Sequence, residues 1–251
     1  MTPELIVSLR RASKSFVLYK AEKTLFRLTK SVIAQRKLKG EIWALKDISL
    51  DIFAGDKIAI IGRNGAGKTT LLRIACGIFP PTEGSVVRRG ILTPLFQYGI
   101  GLNPYLSVLE NIYLIGAFHG ILVREVKQKL AEILDFSELE SFLYAPVKNL
   151  SAGQLQRLVF SVFTQVDQPC LAFDEGMTLA DLQFQQKAQN YFKRLLSPER
   201  TLLMATHDMS AVRQYCQKTL WLEKGEIKMA GDTDAVITAY EKFCLGNPLS
   251  V

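Results

Sequence analysis

One glycine-rich stretch, residues 62–70, has the residue types and spacing for phosphate chemistry. It fits the pattern G-x-x-x-x-G-K-[ST], in which glycines let the backbone curl so that successive N–H groups face one anion. Lys68 would place its charge on the β- and γ-phosphates of a nucleoside triphosphate, and the Thr69 hydroxyl would bind Mg²⁺. The residues predicted to hold the nucleotide here are Gly62, Asn64, Gly65, Ala66, Gly67, Lys68, Thr69 and Thr70.

Two carboxylates, Asp174 and Glu175, follow a short apolar run that predicts a buried strand. Because the carboxyl ends of parallel strands line the ligand crevice, we expect Asp174 to hold Mg²⁺ through water. Glu175 is expected to orient and deprotonate the water that attacks the phosphate. His207 follows another apolar strand and is expected at the same edge, where it could contact the γ-phosphate. These residues predict hydrolysis as well as binding.

A third motif, Leu-Ser-Ala-Gly-Gln at residues 150–154, precedes a predicted helix. Ser151 is the expected N-cap, and the helix N-terminus is a second anion site. The motif resembles the Leu-Ser-Gly-Gly-Gln signature of ABC (ATP-binding cassette) ATPases, with Ala152 in place of the first glycine. Two copies packed head to tail could use both anion sites, each signature closing on the γ-phosphate held by the other copy.

The resemblance to ABC ATPases covers nearly the whole chain and implies further site residues. Gln97 matches the glutamine that senses Mg²⁺ and the attacking water, and Asp181 matches the loop aspartate at the dimer seam. Phe16, with Tyr19 as the alternative, stands where the family stacks an aromatic ring on adenine. The implied catalytic residues are Glu175, His207, Lys68 and Gln97; the further nucleotide contacts are Phe16, Ser151, Ala152, Gly153, Gln154 and Asp181; the metal ligands are Thr69, Gln97 and Asp174.

The resemblance implies an α/β P-loop NTPase fold: a mostly parallel sheet core, an antiparallel β-subdomain and an inserted helical subdomain. Short apolar strands that alternate with helices also predict a parallel, doubly wound sheet. The core is expected at about residues 1–97 and 167–251, with the helical subdomain at about 98–166. Strands are predicted at residues 5–9 (an edge strand), 48–53, 57–61, 171–173 and 201–205, with a hairpin at 219–229 turning at Lys224 and Gly225. Helices are predicted at residues 68–76, 108–118, 124–134, 152–164, 182–196 and 209–216.

A basic, amphipathic insert is predicted at about residues 20–41, within a chain of 251 residues and net charge +7. Seven basic residues stand there against two acidic ones. Such a local excess favours an anionic partner such as lipid head groups or an acidic protein face, although a solvated helix face would have the same composition. The four cysteines match no metal-site spacing and are interpreted as reduced thiols of a cytosolic protein.

Residues 91–109 carry no charge over 19 positions, a length that raises the question of a membrane span. Pro94, Gln97, Asn103 and Pro104 would break the helix or bury polar groups in lipid, so we reject a span. If the protein works at a membrane, it is therefore expected on the membrane surface or on a partner. The resemblance to ABC transporter subunits implies a peripheral position on the cytoplasmic face of a bacterial inner membrane.

Within the ABC group the chain resembles the ATP-binding subunits of bacterial polysaccharide exporters for O-antigen, capsule or teichoic acid. The basic insert before Ile42, residues 99–104 followed by 110–114, and residues 210–213 carry this resemblance. It implies a second copy of the chain and an integral membrane transport subunit as partners, and no nucleic acid. Gln97 departs from it, since close relatives often have an acidic residue there.

Two alternatives to polysaccharide export remain open from the sequence. The same cassette could serve a transporter of another cargo, such as a drug, a lipid or a nutrient. A soluble ABC ATPase that acts on nucleic acid or ribosomes is a different class, and such proteins usually carry two cassettes or long coiled coils. A chain of 251 residues has room for neither.

Overall fold

Two β-sheets form the framework of the chain. The computed structural model describes residues 4–19, 39–95, 102–165, 169–174, 184, 186, 187, 190, 191 and 199–246. Its strands are β1 (Leu5–Tyr19), β2 (Lys39–Phe53), β3 (Lys57–Ile61), β4 (Glu83–Arg88), β5 (Thr93–Leu95), β6 (Cys170–Phe173), β7 (Thr201–Ala205), β8 (Lys218–Glu223) and β9 (Glu226–Asp232). Its helices are α1 (Lys68–Ala75), α2 (Val108–Phe118), α3 (Val123–Ser137), α4 (Ala152–Phe163), α5 (Met209–Tyr215) and α6 (Thr233–Gly246).

The larger sheet has the order β5-β6-β7-β3-β8-β9 among the described strands. Its first five strands are parallel, and β9 returns antiparallel from the hairpin turn after β8. β3 and β6 are buried along their whole length, which is why they are short, apolar and without alternation. The predicted parallel sheet is confirmed, and β3 and β7 have the bounds that the sequence predicted.

The smaller sheet is antiparallel and has the order β2-β1-β4. The prediction of an edge strand at residues 5–9 is wrong, because β1 is much longer and pairs with β2 on one side and β4 on the other. β4 was missed because its side chains are almost all exposed, so no apolar pattern marks it. The ladder between β1 and β2 extends to the pair Tyr19 and Lys39, so β2 includes the last three residues assigned to the insert.

The helices between β5 and β6 pack on one another around a separate apolar cluster. Buried members include Val108 and Ile112 of α2, Val126 of α3, and Leu158 of α4. The predicted helix at residues 108–118 is confirmed with the same bounds, and the other two differ by a few residues at their ends. No helix among the described residues has the length and apolar character needed to cross a membrane.

Two predicted segments lie wholly or mostly outside the described residues. Residues 20–38 of the basic insert are not described, and neither is most of the helix predicted at residues 182–196.

The four cysteines, Cys76, Cys170, Cys216 and Cys244, are all free thiols. Burial raises the pKa of the Cys76 and Cys216 thiols to about 12, so these two stay protonated at neutral pH.

Candidate functional site

Three predicted site segments meet at one edge of the larger sheet. β3, β7 and β6 are parallel neighbours, with Ile60 paired with Ala205 and Phe173 paired with Met204. The residues that follow these strands therefore leave the sheet on the same side, about 4.8 Å apart from one strand to the next. These are the loop that begins at Gly62, the turn at His207, and Asp174. The structure thus brings together the loop, the carboxylate and the histidine.

The loop after β3 is closed by hydrogen bonds to its own carbonyl groups. The buried Lys68 ammonium donates to the carbonyls of Gly62 at 2.8 Å and Arg63 at 3.3 Å. The Arg63 carbonyl also accepts from the N–H of Ala66 at 3.1 Å. Lys68 is the first residue of α1, and its side chain reaches back to the start of the loop. These two hydrogen bonds hold the ammonium charge inside the curve of the loop.

Two of the loop glycines are required by steric contact as well as by backbone angle. Gly62 has φ +150 and a Cβ there would lie 2.2 Å from the carbonyl oxygen of Leu222. Gly67 has φ +108, and its Cβ would lie 2.5 Å from the carbonyl oxygen of Ala44. Any side chain would therefore push the loop away from β2 or β8.

Within the described part of the chain, the loop leaves polar hydrogens directed at no protein acceptor. Gly67 is the N-cap of α1, and no side chain caps this helix. Among the described residues, no carbonyl or side chain accepts from the N–H groups of Gly65 and Gly67. In contrast, α2 begins with a complete capping box of Ser107 and Glu110. An uncapped helix start beside a buried lysine fits the phosphates of ATP, since the N–H groups and the helix dipole both favour an anion there.

The opposite end of α1 carries a compensating positive charge. The Arg88 guanidinium of β4 donates to the carbonyls of Ile74 and Ala75, in the last turn of α1. A cation at this end satisfies the terminal carbonyl groups and opposes the negative end of the helix dipole. The small sheet therefore fixes the helix that presents Lys68.

Two of the three predicted Mg²⁺ ligands, Asp174 and Thr69, are among the described residues. Asp174 is the carboxylate of the pair. It follows β6 directly, and only 7% of its surface is exposed. Mg²⁺ in nucleotide sites is held by one or two carboxylates together with phosphate oxygens. Thr69 is in the first turn of α1, directly after the loop. One buried carboxylate and one hydroxyl fit a cation that takes most of its ligands from phosphate and water. Gln97, the third predicted ligand, lies outside the described residues, as do Glu175 and Asp181.

His207 is exposed and sits in a rigid turn between β7 and α5. The N–H of Asp208 donates to the Thr206 hydroxyl at 3.1 Å, and the Asp208 carboxylate caps α5 by accepting from the N–H groups of Ser210 and Ala211. Hydrogen bonding from the Ser210 side chain is the main reason that the pKa of Asp208 is lowered. The turn therefore presents the imidazole at the sheet edge from a fixed backbone.

The signature segment begins α4, and its predicted N-cap is confirmed. The Ser151 hydroxyl accepts from the N–H of Gln154 at 3.2 Å, and the Gln154 side chain accepts from the N–H of Ser151 at 2.8 Å. Ser151 and Ala152 are exposed, and a Cβ at Gly153 would meet no atom within 4 Å. The segment is thus an exposed helix start, open to a partner.

Phe16, the predicted adenine platform, lies on β1 with 38% of its surface exposed. Its ring makes an edge contact with Phe79 at 5.8 Å between centroids, and the Lys14 ammonium lies 5.6 Å from the ring centre. The stacking role stays a prediction. The side chain of the alternative residue, Tyr19, is not described.

A contact that the sequence did not predict holds the loop from the side of the β8–β9 turn. The N–H of Gly225 donates to the carbonyl of Ala66 at 3.0 Å, and the carbonyl of Gly225 accepts from the N–H of Lys46 at 2.8 Å. Lys224 and Gly225 read as a turn in the sequence, but nothing in that pattern indicates that the turn touches the phosphate loop. One glycine therefore joins the loop to both sheets.

Comparisons with a family model and with two export proteins all point to ABC transporters. A family model described as ABC transporter matches residues 45–178. The O-antigen export system ATP-binding protein RfbB of Klebsiella pneumoniae is 36% identical over 206 residues, 82% of this chain and 84% of that protein. The teichoic acids export ATP-binding protein TagH of Staphylococcus saprophyticus is 34% identical over 237 residues, 94% of this chain and 88% of that protein.

A solved structure confirms the predicted fold. An ATP-binding cassette, determined as a dimer in a post-hydrolysis state bound to ADP and Pi, has a TM-score of 0.69 to this chain. The two share 24% identity, with 91% of this chain and 99% of the other covered. At that identity the likeness concerns the fold.

Proposed function

The chain belongs to the ABC transporter family, and on this premise we propose that it hydrolyses ATP to power export of a polysaccharide through a separate membrane subunit. The observation that carries the ATPase part is the convergence of the glycine loop, Asp174 and His207 at one sheet edge. The cargo is argued from the relatives, which are named for O-antigen and teichoic acids export.

The chain's own residues have distinct roles in this proposal. The N–H groups at the start of α1 and the Lys68 ammonium bind the phosphates and stabilise the charge that develops on them. Asp174 and Thr69 would hold Mg²⁺, which would supply positive charge to neutralise the phosphates. Glu175 orients the attacking water and accepts its proton, and His207 contacts the γ-phosphate from the neighbouring strand.

The site of one chain is incomplete in this proposal. The signature segment starts α4, which packs in the apolar cluster of helices, and Ser151 and Ala152 are exposed there. The capping box satisfies the N–H groups of Ser151 and Gln154, and the positive end of the helix dipole would still favour an anion brought by a partner. In a head-to-tail dimer this segment would close on the nucleotide of a second copy, with Asp181 at the seam. A monomer would then bind ATP and hydrolyse it slowly.

The partner at the membrane is proposed from charge and position. The basic insert leaves and re-enters the small sheet at neighbouring residues, Tyr19 and Lys39. Close to this end of the sheet, Val17 and Ile42 are exposed apolar side chains. The basic composition of residues 20–38 and the exposed apolar side chains suit a surface of anionic lipid and membrane protein, at the cytoplasmic face of the inner membrane.

One variant, Glu175→Gln, tests the proposal in two settings. The purified variant is expected to bind MgATP and accumulate as a dimer with little turnover, whereas the wild-type rate per chain falls on dilution. In the source organism, cells that carry only this variant are expected to retain the glycan inside, and wild-type cells to display it on their surface.

The outcomes separate the parts of the proposal. Unchanged turnover in the variant would exclude the role of Glu175, and a rate per chain that is constant on dilution would exclude the shared site. Normal surface glycan in the variant cells would exclude polysaccharide export.

A further inference from the structure

The C-terminal helix α6 touches the phosphate loop through one aromatic ring. The Arg63 guanidinium lies over the ring of Phe243, with its central carbon 4.9 Å from the ring centroid. Among the described residues, Arg63 forms no ion pair with a carboxylate. The aromatic face is therefore the main contact that positions this side chain.

The ring of Phe243 is itself held in place by aromatic packing. Its centroid lies 5.0 Å from that of Trp221 in β8, and Trp221 lies 5.6 Å from Tyr240, one turn earlier in α6. Burial raises the pKa of the Tyr240 phenol to about 12, while the Arg63 charge acts in the opposite direction, as expected for a guanidinium beside this cluster. Phe243 is thus a fixed platform for Arg63.

Arg63 occupies a decisive place in the loop because its carbonyl group organises the backbone. That carbonyl accepts from the Lys68 ammonium at 3.3 Å and from the N–H of Ala66 at 3.1 Å. A side chain fixed by Phe243 restrains the same residue whose carbonyl orients the lysine. The contact therefore connects α6 to the group that meets the phosphates.

The contact between Phe243 and Arg63 is expected to affect nucleotide affinity through the shape of the loop before ATP binds. Among the described residues, no acceptor takes the N–H groups of Gly65 and Gly67, so these groups do not fix the shape that the loop needs for phosphate. A restraint that holds the shape before ATP arrives lowers the ordering cost of binding. We propose that Phe243 is a positioning residue that raises the affinity for nucleotide by holding Arg63, and with it the loop backbone.

The contact has support on the far side of α6. Arg213 of α5 forms ion pairs with Asp234 at 3.1 Å and with Glu241 at 3.6 Å, both on α6. α5 is the helix that follows the turn of His207. The platform is therefore attached to two of the three segments that form the nucleotide site.

The test is a double-mutant cycle on the purified chain of 251 residues, and the proposal rests on the proposed nucleotide site. Calorimetric titration with the Mg²⁺ complex of a non-hydrolysable ATP analogue gives the Kd. Phe243→Leu keeps an apolar side chain but removes the ring, and we expect the Kd to rise about threefold, below the roughly fivefold limit for an exposed cation–π contact. Arg63→Gln should raise the Kd to a similar extent. Phe243→Tyr keeps an aromatic ring under Arg63 and should have the wild-type Kd.

Coupling distinguishes this role from ordinary packing. In the Arg63→Gln background, Phe243→Leu is expected to have no further effect on the Kd, whereas a packing role would weaken binding equally in both backgrounds. Leu245→Ala, at an 84% exposed position two residues on, is the control and should match the wild type.

The possible failures are distinct. Absence of binding by the wild-type chain would contradict the proposed function. Binding that is unaffected by Phe243→Leu and by Arg63→Gln would overturn only the positioning role. If Phe243→Leu fails to fold, the same cycle is run with Phe243→Met, which also removes the ring. A Kd that Phe243→Met leaves at the wild-type value would overturn the positioning role.

Discussion

Gly67→Ala tests whether the phosphate loop is shaped by contact with the small sheet. An alanine Cβ at this position would lie 2.5 Å from the Ala44 carbonyl oxygen and 2.8 Å from the side chain of Leu45. Gly65→Ala is the matched control in the same loop. Gly65 also has a positive φ, +79, but a Cβ there would meet no atom within 4 Å.

The magnitudes follow from these two environments. Placing alanine in a left-handed conformation costs about 1–2 kcal/mol, and both variants bear this cost. Gly67→Ala adds a clash with backbone that must move, which typically costs about 1–3 kcal/mol. We therefore expect losses in the free energy of unfolding of about 1–2 kcal/mol for Gly65→Ala and about 2–5 kcal/mol for Gly67→Ala.

Urea denaturation of the two purified variants, followed by far-ultraviolet circular dichroism, measures this difference. Both should keep the wild-type dependence on urea concentration, so that the midpoints report stability directly. Equal losses for the two variants, or a larger loss for Gly65→Ala, would refute the idea that β2 shapes the loop.

Two further predictions concern the elements around the site. Arg88→Ala removes the guanidinium from the end of α1 and should lower the free energy of unfolding by about 1 kcal/mol in urea denaturation. Arg89→Ala, the exposed neighbour, should change it by less than about 0.5 kcal/mol, and equal effects would contradict the capping role. Because the pKa of Asp208 is lowered in the folded chain, its stabilisation is present above the usual carboxyl range and lost as the pH falls below it. The stability difference between wild type and Asp208→Asn should therefore shrink from pH 6 to pH 3, and a constant difference would contradict this.

The sequence predicted best those elements whose pattern is local and complete. β3 and β7 were predicted with their observed bounds because each is a buried apolar run between turn residues. β1 was not, since its alternation is interrupted. Arg11 has φ +49, and the register with β2 shifts between Leu9 and Ala12, so the two halves of the strand do not read as one pattern.

The same distinction applies to the site. The phosphate loop and the cap at Ser151 follow from spacing within a few residues, so the sequence sufficed to predict them. The hydrogen bond from Gly225 to Ala66 and the contact of Phe243 with Arg63 join segments far apart in the chain. They depend on how β8 packs beside β3, which no local pattern specifies.

The position of Gly225 has a consequence during synthesis. β3 lies between β7 and β8, and both of these strands, together with the turn that holds Ala66, are translated long after the loop itself. While the ribosome is still making residues before 225, the emerging chain already has β2 but lacks the turn that holds the Ala66 carbonyl. ATP binding is therefore a late event in biogenesis, and a nascent chain stalled before this turn should emerge without a working nucleotide site.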